Sequence, residues 1–232
     1  MLTRPEQEGT GAFALVECQR AHPDYVSWLF GTPNGGMPEE FHGIFLPSAE
    51  GSDLRPRPVK AQLRIGAPVL LSWMEVRRNR KSGKRFSVPQ TIENAAIQAL
   101  KGTTGFAAEQ FKQRSKVPYH NRVLFPPVIA TTARLYTADY SPGGVELSSG
   151  TIAKDRVSLG DEPLPEKEPW VQLNYPAGET PASAKMPESL HATNPVDLDQ
   201  FKQRTVFIVN SNKFVLFFNR LNQAVSGIRT QA

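Results

Sequence analysis

The stretch Phe13-Ala14-Leu15-Val16-Glu17-Cys18-Gln19-Arg20 decides the fold class, because an apolar run over residues 12–16 passes directly into charged and polar residues. Such a run is typical of a short buried strand that reaches the edge of a sheet. Successive side chains of a strand point to opposite faces, so we expect Glu17 and Gln19 on one face. Cys18 is expected on the other face, packed inward as a small apolar residue.

The best-specified helix is predicted between residues 87 and 102. Ser87 and Gln90 have the capping-box spacing, and apolar residues then recur at helical intervals, at Ile92, Ala95, Ala96, Ala99 and Leu100. Gly102 stands where a left-handed C-terminal cap is expected, and a second helical stretch is predicted over 107–114. A last helix is predicted after Asn210 or Ser211, with an apolar face formed by Phe214, Phe217, Phe218, Leu221 and Val225.

Strands and loops fill the rest of the chain. Apolar and β-branched segments predict strands at 25–30, 41–46, 61–65, 69–76, 127–132 and 205–209, and Gly, Pro and Asn predict loops at 31–37 and 50–58. Residues 155–200 are polar and rich in proline, which predicts a long irregular excursion held in place by Trp170 and Tyr175. Strands alternating with amphipathic helices favour an α/β fold, a mixed sheet flanked by helices, as one domain over residues 1–232.

Composition excludes several classes of protein. With 232 residues, 39% hydrophobic and 21% charged, the chain is typical of a globular protein. It has no apolar run of the roughly 20 residues needed to span a bilayer and no signal-peptide layout, so we expect a cytoplasmic protein without a membrane partner. Its single cysteine excludes an internal disulfide. Motifs for phosphate loops, dinucleotide folds, nucleophile elbows and paired zinc histidines are absent from the sequence.

Basic residues are concentrated in one short segment of a chain whose net charge is +5. Six of the nine residues from 77 to 85 are basic, namely Arg77, Arg78, Arg80, Lys81, Lys84 and Arg85. Clustered cations are typical of a surface that contacts phosphates, because each contact releases condensed counterions. The alternative is a solvated hairpin tip that its charges keep soluble. The sequence leaves both interpretations open.

Two strand ends place an acid two residues before an amide or a cation. These are Glu17 with Gln19 and Glu75 with Arg77. Such a pair on a strand edge can hold a divalent metal ion and orient a water beside it, as phosphodiester hydrolysis requires. The alternative for each glutamate is a solvated strand end paired with a neighbouring cation. For Gln98, on the polar side of its helix, the alternative is simple exposure.

Val16-Glu17-Cys18-Gln19-Arg20 resembles the Val-Glu-Cys-Lys strand of the restriction-endonuclease-like, or PD-(D/E)XK, nucleases. The helix that contains Gln98, followed by the strand at 128–132, resembles the core of that family. The resemblance implies a restriction-endonuclease-like fold with a long irregular insertion and metal-dependent cleavage of DNA. It implies Mg²⁺ or Mn²⁺ at Glu17 and Glu75, and catalytic roles for Glu17, Gln19, Glu75, Arg77 and Gln98. The basic residues from Arg77 to Arg85 would then contact phosphates.

Two departures separate the chain from that family. Gln19 stands where the family has lysine, and an amide cannot supply positive charge to a developing hydroxide. The family's first acid precedes this strand, but only Glu6 and Glu8 stand there. Three explanations stay open: the chain lacks an N-terminal portion, Glu17 acts with Glu75 and Arg77, or the site is degenerate.

The departures leave alternative functions open. One is a catalytically inactive nucleic-acid-binding or assembly module of the same fold. Another is a protein-interaction module that docks through residues 155–195. DNA is the expected partner, with another nucleic acid and a homodimer left as alternatives.

Overall fold

The computed structural model of the chain describes residues 10–22, 26–33, 39–47, 57–70, 72–78, 85–87, 90–114, 122–141, 145–146, 151–152, 157–159, 170–176 and 203–226. The strands of this part are β1 (Thr10–Ala12), β2 (Leu15–Gln19), β3 (Val26–Pro33), β4 (Glu40–Leu46), β5 (Arg57–Gln62), β6 (Val69–Leu70), β7 (Ser72–Arg78), β8 (Arg85–Ser87), β9 (Arg122–Phe125), β10 (Pro127–Thr131), β11 (Arg134–Tyr140), β12 (Val145–Glu146), β13 (Thr151–Ile152), β14 (Val157–Leu159), β15 (Trp170–Pro176) and β16 (Gln203–Asn210). The helices are α1 (Gln90–Arg114) and α2 (Phe214–Ser226), and a 3₁₀ turn over Ser211–Lys213 leads into α2. No helix in the described ranges is long and apolar enough to cross a membrane.

The strands form three larger sheets and a two-stranded pair, β12–β13. The first sheet has the order β1-β9-β4-β5, the central sheet β2-β10-β16-β15-β6, and the third sheet β14-β11-β3-β7-β8. In the central sheet β2, β10 and β16 run parallel, whereas β15 is antiparallel to β16. The mixed α/β class expected from the sequence is therefore confirmed.

A long parallel ribbon connects the three sheets. It consists of residues 10–33, which form β1 to β3, beside residues 122–140, which form β9 to β11. Paired residues are 112 positions apart from Thr10 to Gln19, and 107 positions apart once β3 pairs with β11. Between Gln19 and Ser27 the first segment therefore contains five more residues than the second segment contains between Thr131 and Arg134.

The two helices pack on opposite faces of the central sheet. The apolar side of α1 joins a core cluster with alternate residues of the sheet, such as Ile129 and Ile208. The residues next to these in sequence, such as Val128 and Phe207, join a second cluster with the α2 residues Phe217, Leu221 and Val225. This alternation is the period of two that buries both faces of a strand. The predicted apolar face of the last helix is confirmed, whereas Asn210 caps the 3₁₀ turn that leads into α2 rather than α2 itself.

The first helix differs from its prediction at both ends. It begins at Gln90, because Ser87 belongs to β8 and pairs with Val76. Gly102 does not end it, and the helix continues without interruption to Arg114. A Cβ atom added at Gly102 would lie 2.5 Å from Leu15 Cδ2, so the glycine allows α1 to approach β2 closely. The predicted C-terminal cap is wrong because the glycine serves packing instead.

The predicted irregular excursion over residues 155–200 is wrong at residues 170–176. This segment forms β15, which lies between β16 and β6 in the central sheet. Trp170 and Tyr175 are buried there, as expected of residues that hold the segment in place. Residues 157–159 form β14 at the edge of the third sheet. Residues 160–169 and 177–200 lie outside the described ranges.

Several smaller predictions are also wrong, since β5 begins at Arg57, within an expected loop, and ends at Gln62 rather than at Ile65. Residues 31–33, expected in a loop, extend β3, and the rest of that expected loop lies outside the described ranges. Cys18 is exposed rather than packed inward. Val16, on the same face of β2, still packs against the second core cluster. The apolar packing on this face of β2 therefore ends between residues 16 and 18.

Candidate functional site

Glu17 and Gln19 lie at the carboxyl end of β2, the edge strand of the central sheet. The Gln19 side-chain amide donates a hydrogen bond from Nε2 to Glu17 Oε1 over 3.0 Å, so the two side chains share one face as predicted. Both residues are half-buried, whereas Cys18 between them is exposed on the opposite face. The pair therefore forms a polar patch where the strand leaves the core.

Helix α1 runs antiparallel to β2 above this patch. The Phe13 and Phe106 rings are in contact, with centroids 5.8 Å apart, and Leu15 meets Gly102. Two strand residues advance about 6.6 Å and four helix residues about 6 Å. Each step of two along the strand therefore matches a step of four back along the helix. Continued at the same spacing, the two segments would bring Gln98 nearest to Glu17 and Asn94 nearest to Gln19, although in the described part of the chain no hydrogen bond joins these side chains.

We call these two rows of residues the edge stripe. Its strand row is Phe13, Leu15, Glu17 and Gln19, and its α1 row is Phe106, Gly102, Gln98 and Asn94. One end of the edge stripe is apolar, and there Phe13 and Phe106 also pack near Phe125. The other end is polar, and the α1 side chains Gln98 and Asn94 are exposed. Carboxylate and amide groups thus lie along the outer strand of the central sheet in the described part of the chain.

Glu75 occupies a different environment, in the interior of the third sheet. Its side chain is 2% exposed, and Trp28 Nε1 donates a hydrogen bond to Glu75 Oε2 over 3.0 Å. Arg77 Nε donates to the other oxygen, Oε1, and forms an ion pair with the carboxylate. Arg77 also donates from Nη2 to Thr91 Oγ1 over 3.3 Å. We call these four residues the Glu75 network; it fastens the start of α1 to the third sheet.

The structure does not bring the two glutamates into one network. Glu17 belongs to the central sheet and Glu75 to the third sheet, and in the described part of the chain no hydrogen bond or ion pair joins them. Both Glu75 oxygens accept hydrogen bonds and the side chain is almost fully buried, so Glu75 does not present a carboxylate to a ligand at the surface. Across the described ranges, no three His, Cys, Asp or Glu side chains are grouped so that they could hold a metal ion.

The basic cluster lies on a β-hairpin. Strands β7 and β8 pair antiparallel, with Arg78 opposite Arg85, as a hairpin with its tip between them requires. Arg77 points into the Glu75 network, and 43% of its side chain is exposed. For Arg78 and Arg85 the structure describes the backbone. Arg80, Lys81 and Lys84 lie outside the described ranges.

Sequence reasoning missed two members of the Glu75 network. Trp28 pairs directly with Glu75 in the ladder between β3 and β7, 47 residues away along the chain. Thr91 comes from the first turn of α1. No local pattern links these positions, since only the antiparallel register places the indole opposite the carboxylate.

The fold and the edge stripe together define a mixed α/β protein with a polar patch at a sheet edge. No protein family, no curated protein and no solved structure matches this chain. Its function must therefore be inferred from its own residues and their geometry.

Proposed function

We propose that the chain is a restriction-endonuclease-like protein that binds DNA and hydrolyses phosphodiesters with a divalent metal ion at the polar end of the edge stripe. The observation that supports this most directly is the antiparallel match between β2 and α1, anchored by Phe13 with Phe106 and by Leu15 with Gly102. Continued along both elements, this match would make Gln98 the nearest residue of α1 to Glu17. The helix that contains Gln98 precedes a strand, β10, that pairs directly with β2.

The residues at the polar end fit a magnesium ion. Mg²⁺ in phosphate-processing proteins is held by one or two carboxylates, with waters and substrate phosphates completing its shell. Glu17 supplies one carboxylate, and its bond from Gln19 occupies only one of the two oxygens. The same bond orients the carboxylate, as partners of metal ligands do. A bound Mg²⁺ or Mn²⁺ would activate a water and neutralise charge on the phosphate.

In this proposal Glu75 is structural, and Glu17 is the metal ligand. Arg77 holds the buried carboxylate of Glu75 and joins it to Thr91. The remaining basic residues of the hairpin, Arg78, Arg80, Lys81, Lys84 and Arg85, would contact the DNA backbone. Their contribution would weaken with salt, because it arises from counterion release.

Nicking of supercoiled plasmid DNA by the purified protein tests the catalytic proposal. We expect nicking with Mg²⁺ or Mn²⁺, and a loss of about a hundredfold or more in Glu17→Gln, which keeps the size of the side chain but removes the ligand charge. The matched control is Glu109→Gln, an exposed glutamate near the end of α1. Absence of nicking with either metal ion, or full activity in Glu17→Gln, would contradict the proposal.

A second candidate is a nucleic-acid-binding module without catalysis. The observation in its favour is that the partner of Glu17 is a neutral amide, which cannot stabilise a hydroxide. It predicts gel-shift binding of DNA that is strong at about 50 mM salt and weak at about 200 mM. Neutralising Arg78, Arg80, Lys81, Lys84 and Arg85 together would reduce this binding, while Glu17→Gln would leave it unchanged. Absence of binding at low salt would exclude both candidates.

A further inference from the structure

The carboxyl ends of three parallel strands of the central sheet, β2, β10 and β16, lie side by side. In the register, Gln19 at the end of β2 pairs with Thr131, and Thr131 at the end of β10 pairs with Asn210 at the end of β16. After Gln19 the first segment of the parallel ribbon contains five residues more than its partner, and Ala21 is still hydrogen-bonded to Thr132. Ligands of parallel α/β sheets bind outside the carboxyl ends of the strands, where neighbouring segments diverge.

A pocket of about 720 Å³ lies at this position. It is lined by the segment after β2, the turn between β10 and β11, and the start of the 3₁₀ turn before α2. Its volume falls within the range of about 300–1,000 Å³ that is usual for small-molecule sites. The pocket is thus large enough for a ligand of nucleotide size.

The lining is cationic and polar. It includes Arg20, Arg134, His22 and Thr132, and no acidic residue is among the described residues that line it. Arg20 and Arg134 are exposed, so a ligand from solution can reach them. Guanidinium groups bind phosphate oxygens through paired hydrogen bonds. The lining therefore favours a phosphate over a neutral or cationic ligand.

Hydrogen bonds fix the walls of the pocket before a ligand binds. The Thr132 hydroxyl donates to the Ala21 carbonyl over 2.5 Å and accepts from the Ala21 N–H over 2.7 Å. Asn210 donates from Nδ2 to the Ala133 carbonyl over 3.4 Å. The Asn210 side chain also accepts from the Asn212 N–H over 3.0 Å. Preorganised walls reduce the entropy cost of binding.

We propose that this pocket binds a phosphate monoester at the end of a nucleotide. The phosphate lies between Arg20 and Arg134, and the remaining volume accommodates the sugar and base. The phosphate comes either from a free nucleotide or from the end of a nucleic-acid strand, which have the same chemistry. The pocket uses none of Glu17, Gln19 or Gln98, so the proposal does not require cleavage at the edge stripe.

Fluorescence anisotropy with one internally labelled oligonucleotide tests the proposal. The oligonucleotide is prepared with a 5′-phosphate, with a 3′-phosphate and with neither. We expect a phosphorylated end to bind about tenfold more tightly than the unphosphorylated strand, since charged hydrogen bonds to the phosphate are added. Arg20→Gln and Arg134→Gln should each abolish that difference. Arg64→Gln, which removes an exposed arginine elsewhere, should preserve it.

Competition identifies the source of the phosphate. Displacement by a nucleoside monophosphate would support the proposal with a free nucleotide as ligand, and displacement only by a phosphorylated strand would support it with a strand end. Equal binding of all three oligonucleotides together with no binding of a nucleoside monophosphate or inorganic phosphate would overturn the proposal. So would unchanged phosphate preference in a folded Arg20→Gln protein, which decides the test alone if Arg134→Gln does not fold.

Discussion

Glu17 and Glu75 share one local pattern, a strand glutamate followed two residues later by a polar partner, yet they lie in opposite environments. Glu75 is 1% exposed, and both carboxylate oxygens accept hydrogen bonds. Glu17 is half-buried and accepts one from Gln19. Strand β7 lies between β3 and β8, whereas β2 is an edge strand. The position of the strand in its sheet, rather than the pattern, determines which acid holds the fold together and which one is available to a ligand.

The largest expected effect is the loss of stability in Glu75→Ala. The substitution leaves the indole N–H of Trp28, itself fully buried, without an acceptor, and it unpairs Arg77. We expect the free energy of unfolding to fall by about 3 kcal/mol, with part of the Arg77 loss relieved by water. Urea denaturation followed by circular dichroism measures this change.

Glu17→Ala is the matched control for that experiment. It removes the same atoms from a half-buried edge position, so the loss of unfolding free energy should be about 0.5 kcal/mol or less. Similar losses in the two variants would show that the two acids support the fold equally, and the distinction between them would fail.

A smaller loss of unfolding free energy is expected at high pH, where the buried residue Tyr175 loses its proton. Tyr175 packs against Trp73, and its hydroxyl donates to Glu93 Oε1 over 3.5 Å. Burial, and then the charge of Glu93 and this hydrogen bond, raise the pKa of Tyr175 to about 12. The unfolded chain loses this proton near pH 10. The stability that the raised pKa provides is therefore complete below pH 10 and is lost as the pH rises towards 12.

Comparison with Tyr175→Phe isolates this contribution. Between about pH 10 and 12 the wild-type protein should lose about 1 kcal/mol more unfolding free energy than the variant, after allowance for solvent screening. The variant is needed because Arg204, opposite Tyr175 in the ladder, has its pKa lowered to about 10 by burial and acts in the opposite direction. Parallel pH profiles for the two proteins would rule out a raised tyrosine pKa.

A small effect on stability is also expected from Gln19→Lys, at the half-buried edge position. The new cation would lie beside the Glu17 carboxylate, and a surface ion pair of this kind changes stability by less than about 1 kcal/mol. Its effect should appear in plasmid nicking instead, which should increase because a lysine can stabilise a hydroxide. A loss of stability comparable with that of Glu75→Ala would place Gln19 in the core.

Sequence periodicity predicted the elements whose environment is local. The faces of α1 and α2 follow from residues three and four apart, and the shared face of Glu17 and Gln19 follows from strand alternation. The helix end expected at Gly102 did not occur. This glycine makes room for the Leu15 side chain, a role that depends on a distant strand and cannot be recognised from local sequence. The proline-rich surroundings of residues 170–176 obscured a strand that the central sheet stabilises on both sides.

Features that depend on long-range register could not be predicted. The opposition of Trp28 and Glu75 requires the β3–β7 ladder. The pocket requires the ends of β2, β10 and β16 to lie side by side, although they are far apart in sequence. Arg20 and Arg134 show no spacing pattern that would relate them. Local chemistry indicates candidate residues, but only pairing between distant strands shows which of them meet.

The parallel ribbon also delays the pairing of β2 during translation. Each residue of β2 pairs with one that the ribosome adds 112 positions later. At about 5–20 residues per second, β2 remains without that partner for roughly 6–20 s. During this interval the apolar side chains of Leu15 and Val16 and the open backbone of β2 are available to other nascent chains. The early part of this protein should therefore depend on chaperones that shield exposed strands during translation.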